Sequence, residues 1–555
     1  MNTNLTQAQL DENGELQYAI FLPALSSFYA AYVGQQRFGE YVDQDRIPSN
    51  FKHGVESLNY LDPDKGAFHY QWTLYSAGHA ELDINKHCPK EDMIRNRDRT
   101  TSWVVGDSGG FQIGKGVWEG DWKDPNCPKA MKKRQQVLAW MDAYMDVGMV
   151  LDIPAWLTRS PKGQLATGIT TYQEAVDGTR INNDYFIQHR NGNCKFLNVL
   201  QGENHTEADD WYEQMKDYCD PAKYPGRHFN GWAMGGQNMC DAHLTLKRII
   251  ALIYDGLLVE GVHDHMHFLG TSKLEWALLL TDIQRAVRKY HNPKFTITFD
   301  CASPFLATAN GQVYITTETP NRGKWSYRMV PSVDNKKYAK DHRLFRDVVL
   351  NDGLFKTFDD SPISQGLKIS DICVYGAGIP RTDLPEGTVL DSHNPEHWIE
   401  MPMQNKIGKV GKTSWDSFSY AIQMGHNVWM HVNAVQEANR QYDQGNVPNM
   451  LVASKVSGKK FRQYDRQYCR EIIDDIFAAP DRKTAEKIIE QHAKYWNDIP
   501  GTRGAIGDKS INTTTTYQLF FEEPSTTDTS HSDEFSEQEL DVLDELENEI
   551  NKDSK

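Results

Sequence analysis

The runs SWVVGD (102–107), GMVLD (148–152), FLNVLQ (196–201), GWAMGG (231–236), HMHFLG (265–270) and FTITFD (295–300) decide how this chain folds. Each is a short apolar stretch that stops abruptly at a glycine or a polar residue, as a buried strand does. Their last residues are separated by 45, 49, 35, 34 and 30 positions, room for one strand, one helix and their loops. Two earlier runs, YAIFLP (18–23) and HYQWTLY (69–75), have the same character and bring the number to eight. Eight successive βα units predict an α/β fold, a (β/α)8 TIM barrel over residues 1–312. Such a barrel carries its chemistry at the strand ends and in the loops after them, so the terminating residues are the candidates for function.

Over 313–412 the pattern lapses into stretches such as ETPNRGKWS, NDGLF and GAGIPRTDLPEG, which read as an insertion after strand 8. Trp415 to Tyr442 then reads as a helix, with apolar Phe418, Ile422, Val428, Val432 and Val435 among polar residues, inside a segment (413–445) suited to closing the barrel. A basic, mostly helical extension is expected over 446–521. The tail from 522 to 555 is polar, acidic and poor in aromatics, a composition expected to stay disordered. Within it Leu540, Leu543, Leu546 and Ile550 form either one face of a short docking helix or a frayed turn with no role.

A net charge of −17 argues at first against a nucleic-acid partner, whose phosphates repel acidic surfaces. The distribution alters that. From Glu522 onward 13 acids face 2 bases, so the tail holds −11 and residues 1–521 only −6. Between Met401 and Arg470 the balance reverses, with 10 bases against 4 acids. Lys406, Lys409, Lys412, Lys455, Lys459, Lys460, Arg462 and Arg466 are therefore the candidates for backbone phosphates, although a solvated basic face without a ligand has the same composition. No run of 18 apolar residues is present to span a membrane, and the polar start MNTNLTQAQLDENGEL lacks the features of a signal peptide. No membrane partner is expected, and a cytoplasmic location is, in the host cell if the chain is phage-encoded. The eight cysteines are scattered without a CxxC pair and read as buried thiols.

At the strand ends stand GDSGGFQ (106–112), MVLDIP (149–154), VLQGE (199–203), GWAMGG (231–236), FLGT (268–271) and FDCASPFLATANGQ (299–312), followed much later by GHNVW (425–429). Through these motifs, in this order, the chain resembles the tRNA-guanine transglycosylase superfamily over residues 15–312 and the closing helix. The resemblance implies a cofactor-free, metal-independent exchange of guanine in a nucleic acid for a 7-deazaguanine, through a covalent aspartyl-sugar intermediate. It makes Asp300 the nucleophile and Asp107 the general acid/base, with Asp152 and Gln201 reading the edge of the base. Ser108, Gly109, Gly110, Phe111, Gly235 and Gly236 would line the slot for the flat ring.

The chemistry of the side chains agrees with those roles. Breaking an N-glycosidic bond builds positive charge on the sugar, which a carboxylate can stabilise and then capture at C1′. A second carboxyl can manage the proton of the departing and arriving bases. The carboxylate of Asp152 can accept from guanine N1 and its exocyclic amine, and the amide of Gln201 can donate to O6. Each residue also has a plainer reading. A strand-end aspartate often only caps the next helix; Phe111 could be core, Gln201 could satisfy buried backbone, and Gly235 and Gly236 could merely relieve crowding. His263, His265 and His267 alternate as if on one face of a strand, either as metal ligands or as ordinary barrel histidines.

Two departures bear on the acceptor. The tRNA enzymes carry a zinc subdomain built on CxCxxC, and no such cluster lies between Gln312 and Trp415, so structural zinc is not expected. Where those enzymes have two arginines that contact the anticodon loop, this chain has Leu306 and Ala309, which cannot make such contacts. With the groups of the base pocket present and the tRNA-reading arginines replaced, the chain is most similar in kind to the phage and bacterial DNA-guanine transglycosylases that place 7-deazaguanines (preQ0-type bases) in DNA and so protect it from restriction. A divergent tRNA-guanine transglycosylase and a catalytically silent partner subunit are the alternatives.

Overall fold

Each of the eight apolar runs forms a strand. The computed structural model describes residues 18–36, 46–348, 358–374, 379–385, 387–389, 398–399, 414–453 and 468–501. The strands are β1 (Ile20–Pro23), β2 (Trp72–Ser76), β3 (Trp103–Asp107), β4 (Val147–Met149), β5 (Lys195–Leu200), β6 (Gly231–Met234), β7 (His265–Phe268) and β8 (Thr296–Cys301). All are parallel, in the order β1-β8-β7-β6-β5-β4-β3-β2. The last seam closes through a bridge between Ala24 and Leu74 and a 2.9 Å bond from the Leu25 N–H to the Leu74 carbonyl. The sheet is thus a nearly closed TIM-like barrel with helices alternating between strands.

Side chains alternate between barrel interior and helix layer along each strand. On β8 the outward Ile297 and Phe299 are buried under the helices, while Thr298 and Asp300 face inward. The inward direction is fixed by a contact across the barrel: the rings of Trp103 on β3 and His265 on β7, strands that are not neighbours, lie 5.2 Å apart. Long helices follow the strands, among them Pro128–Tyr144, Tyr172–His189, His205–Met215, Ala242–Tyr254 and Leu274–Tyr290.

The closing helix runs Ser417–Asp443 and buries Phe418, Ile422, Val428, Val432 and Val435. It packs against the helices Ser27–Gln36 and Leu274–Tyr290, where an eighth barrel helix belongs. The segment after Gln312, read as an insertion in which the βα pattern lapses, begins with an antiparallel hairpin of β9 (Gln312–Glu318) and β10 (Ser326–Pro331). The helix Cys469–Phe477 packs on Leu274–Tyr290, and Arg482–Gln491 packs on Ala242–Tyr254. A helical C-terminal region therefore clasps the barrel jacket. Among the described residues no helix is long and apolar enough to cross a membrane.

Candidate active site

Asp107 ends β3, and the register with β2 sets Ser76 beside it. The Ser76 hydroxyl donates to Asp107 Oδ2 at 2.6 Å. Burial pushes the Asp107 carboxyl up; the bond from Ser76 opposes this, the negative charge of Asp300 adds to it, and the Gly109 N–H opposes it again. A carboxyl raised in this way can hold and release a proton nearer to neutrality than a free aspartate.

Asp300 lies on β8 opposite β7, whose side chains define its setting. His267 Nε2 approaches Asp300 Oδ1 at 3.1 Å, and the Gly270 N–H donates to the same oxygen at 3.0 Å. Both hydrogen bonds fall on Oδ1, which leaves Oδ2 without a hydrogen-bond partner among the described residues. The side chain is only 12% exposed, so a reaction there is shielded from bulk water.

Asp152 stands three residues beyond β4 and Gln201 one beyond β5. Gln201 Nε2 donates to Asp152 Oδ2 at 2.8 Å, and both side chains are buried. Burial drives the Asp152 carboxyl up to about 7, the bond from Gln201 counters it, and Asp107 raises it further. Gln201 Oε1 is buried without a hydrogen-bond partner among the described residues, an arrangement that costs stability unless something else arrives to use it. Two glycines wall this pair. A Cβ on Gly110 would sit 2.7 Å from Asp152 Oδ1, and one on Gly235 2.9 Å from Gln201 Nε2. Gly109 and Gly236 adopt positive φ of 83° and 52°, where a side chain would be strained.

Asp107 therefore interacts electrostatically with both Asp152 and Asp300, although the three come from different parts of the barrel rim. None of them caps a helix. The helices after β5 and β6 are capped by Asn204 and Asp241, and those after β3 and β8 start from Gly109 and Ala302. Ser108 is buried. Phe111 is half-buried and meets the ring of Trp156 edge-on at 5.8 Å, with Lys115 Nζ 5.3 Å from its centroid.

No protein-family model matches this chain, and no curated protein matches it. What the site can do rests on its own side chains.

The structure brings Asp107, Ser108, Gly109, Gly110, Asp152, Gln201, Gly235, Gly236 and Asp300 to one end of the barrel, with Phe111 on the short helix Gly110–Gly114 after β3. The basic candidates Lys406, Lys409, Lys412, Lys455, Lys459, Lys460, Arg462 and Arg466 lie outside the described residues. The histidine alternation is corrected: His263 precedes β7, its Nε2 meets the Cys219 carbonyl at 2.8 Å and its Nδ1 accepts from the Val259 N–H, so only His265 and His267 share the inward face. Among the described residues no three His, Cys, Asp or Glu side chains are grouped as a metal ion requires. Two contributors escape a reading of the sequence. Ser76 carries no signal beyond its place at a strand end, whereas His267 is visible in the alternation but its bond to Asp300 is not.

Proposed function

We propose that this chain is a DNA-guanine transglycosylase that exchanges guanine for a 7-deazaguanine through an aspartyl-sugar intermediate. One observation carries the reading: Asp107 and Asp300, far apart in sequence and on strands that are not neighbours, lie close enough for the charge of one to raise the other's proton affinity. In this scheme the target guanine leaves its stack and enters the slot beside Gly110 and Gly235. Its N1–H and amine donate to Asp152, and its O6 accepts the second Nε2 proton of Gln201. Asp300 attacks C1′ as the glycosidic bond breaks; the bonding pair leaves on N9, which takes a proton from Asp107. The incoming base returns a proton from N9 to Asp107 and displaces the Asp300 carboxylate from C1′.

DNA rather than tRNA is favoured by Leu306, which is 5% exposed, and by Ala309, half-buried on the same helix. Neither offers a donor to an anticodon loop. Incubation with labelled guanine and either duplex DNA or tRNA tests the assignment, with label expected in DNA alone. Label in tRNA alone would transfer the activity to a tRNA acceptor, and label in neither would end the reading. Asp300→Asn is expected to lose exchange by at least about a thousandfold and Asp107→Asn by about a hundredfold or more, both with native circular dichroism. Full activity in Asp300→Asn would exclude the covalent route. A mechanism-based oligonucleotide that traps the adduct separates an enzyme from a silent binding subunit, which would form none.

A further inference from the structure

The interior of a TIM barrel is ordinarily packed with branched apolar side chains. Here a polar column occupies it between β7 and β8. His265 Nε2 lies 2.7 Å from Thr298 Oγ1, Thr298 Oγ1 lies 2.8 Å from His267 Nδ1, and His267 Nε2 lies 3.1 Å from Asp300 Oδ1. Thr298 and His267 are fully buried.

The direction of the protons along this column follows from its upper end. An ionised Asp300 can only accept, so His267 Nε2 carries a proton and donates it. Its Nδ1, 2.8 Å from the Thr298 oxygen, then accepts from the Thr298 hydroxyl. The Thr298 oxygen in turn accepts from His265 Nε2–H. This leaves His265 Nδ1 as a lone pair without a donor, and that atom of the column is the one buried without a partner among the described residues. The opposite order would strand an N–H there instead. Burial holds His265 down to about 3, so it is neutral throughout the working range.

We infer that His265, Thr298 and His267 form a directed hydrogen-bond column in which His267 is a positioning residue, locked in one tautomer to hold Asp300 Oδ1 and present Oδ2 to the sugar. The inference rests on the exchange reaction proposed above for the role of Asp300, but the tautomer it requires does not. A bond to a charged acceptor is worth enough that its loss should slow the covalent step about tenfold or more.

Nitrogen-15 NMR of the full chain with labelled histidine is expected to show His265 and His267 each with a proton on Nε2 and none on Nδ1. Thr298→Val, which keeps the shape and removes the hydroxyl, should leave His267 Nδ1 without its donor, loosen the orientation of the ring and lower the rate of adduct formation with little change in KM. His267→Leu should slow that step further, and His267→Gln, whose Nε2 can reach the same oxygen, should recover most of it. Because a glutamine amide needs no partner to fix its proton, Thr298→Val should have little additional effect in the His267→Gln background. A protonated or Nδ1–H His267 in the wild type would overturn the column, as would wild-type rates in both Thr298→Val and His267→Leu. If the wild-type chain forms no adduct with any guanine-containing acceptor, the exchange reading falls, and the tautomer measurement by itself still decides whether the column exists.

Discussion

Burial of Asp152 beside Gln201 gives this carboxyl two opposed demands. In the proposed reaction it must ionise to accept both N–H groups of a guanine, yet its surroundings push it up to about 7. Before a base binds it is therefore mostly protonated at pH 6 and mostly ionised at pH 8, and guanine affinity should rise about tenfold over that interval. Equilibrium binding of guanine at the two pH values checks this, and Asp152→Asn should bind weakly with no such slope. The same shift has a stability consequence. A carboxyl whose folded value lies above its unfolded value of about 3.9 makes the native state hold the extra proton. The resulting stability is present at low pH and is lost as pH rises from about 4 through about 7. Asp152→Asn escapes that loss, so its stability relative to wild type should be greater at pH 8 than at pH 4 by at least about 1 kcal/mol, measured by denaturant titration. Asp107, Asp152, Gln201 and Asp300 are legible as candidates because each ends an apolar run. Ser76 is not, nor is the bond of His267 to Asp300, since both depend on partners on adjacent strands, and register between strands is not written in either strand alone.

The eight barrel strands can be read because each is an apolar run with a sharp terminator, and a parallel strand buried on both faces needs that composition. The hairpin β9–β10 cannot. Its first strand joins a buried Val-Tyr-Ile to an exposed Thr-Thr-Glu, a sequence that matches neither a buried strand nor an alternating one. The closing helix is visible through its apolar spacing, but the duty of its His-Asn pair is not. His426 Nε2 meets the Tyr314 carbonyl at 2.9 Å and its Nδ1 meets Ser361 Oγ at 2.8 Å. Asn427 donates to Thr308 Oγ1 and the Gln312 carbonyl, and accepts from the Tyr314 N–H. One side chain thus ties the helix Ser303–Ala309, β9 and the closing helix together. Asn427→Ala removes this partner from the buried Thr308 hydroxyl and Tyr314 N–H and from the part-buried Gln312 carbonyl, and should cost about 2–4 kcal/mol in chemical denaturation. Because Asp300 lies just before that tied helix, the exchange rate should fall as well.

Across the whole chain, the barrel is held by packing and by a clasp rather than by a covalent staple. None of the eight cysteines forms a disulfide, so adding or removing reductant should leave Tm unchanged in a thermal scan. The helices Cys469–Phe477 and Arg482–Gln491 anchor through Lys289 and Tyr290 to Asp474, through Tyr254 to the Ala479 carbonyl, and through buried Ala485 and Ile489. Ile489→Asp would bury a charge in that seam and should lower stability by about 3 kcal/mol or more, while the reaction of the folded fraction stays intact. The amino-acid order alone specified the class of fold and the rim residues worth testing. Burial pattern and strand termination are local properties, repeated eight times in one chain. Which of those residues face one another, which oxygen of Asp300 is held, and what fills the barrel beneath it depended on closure of the sheet. Closing the barrel fixes the stagger of every strand at once, and hydrogen bonds between side chains on neighbouring strands exist only after that stagger is set.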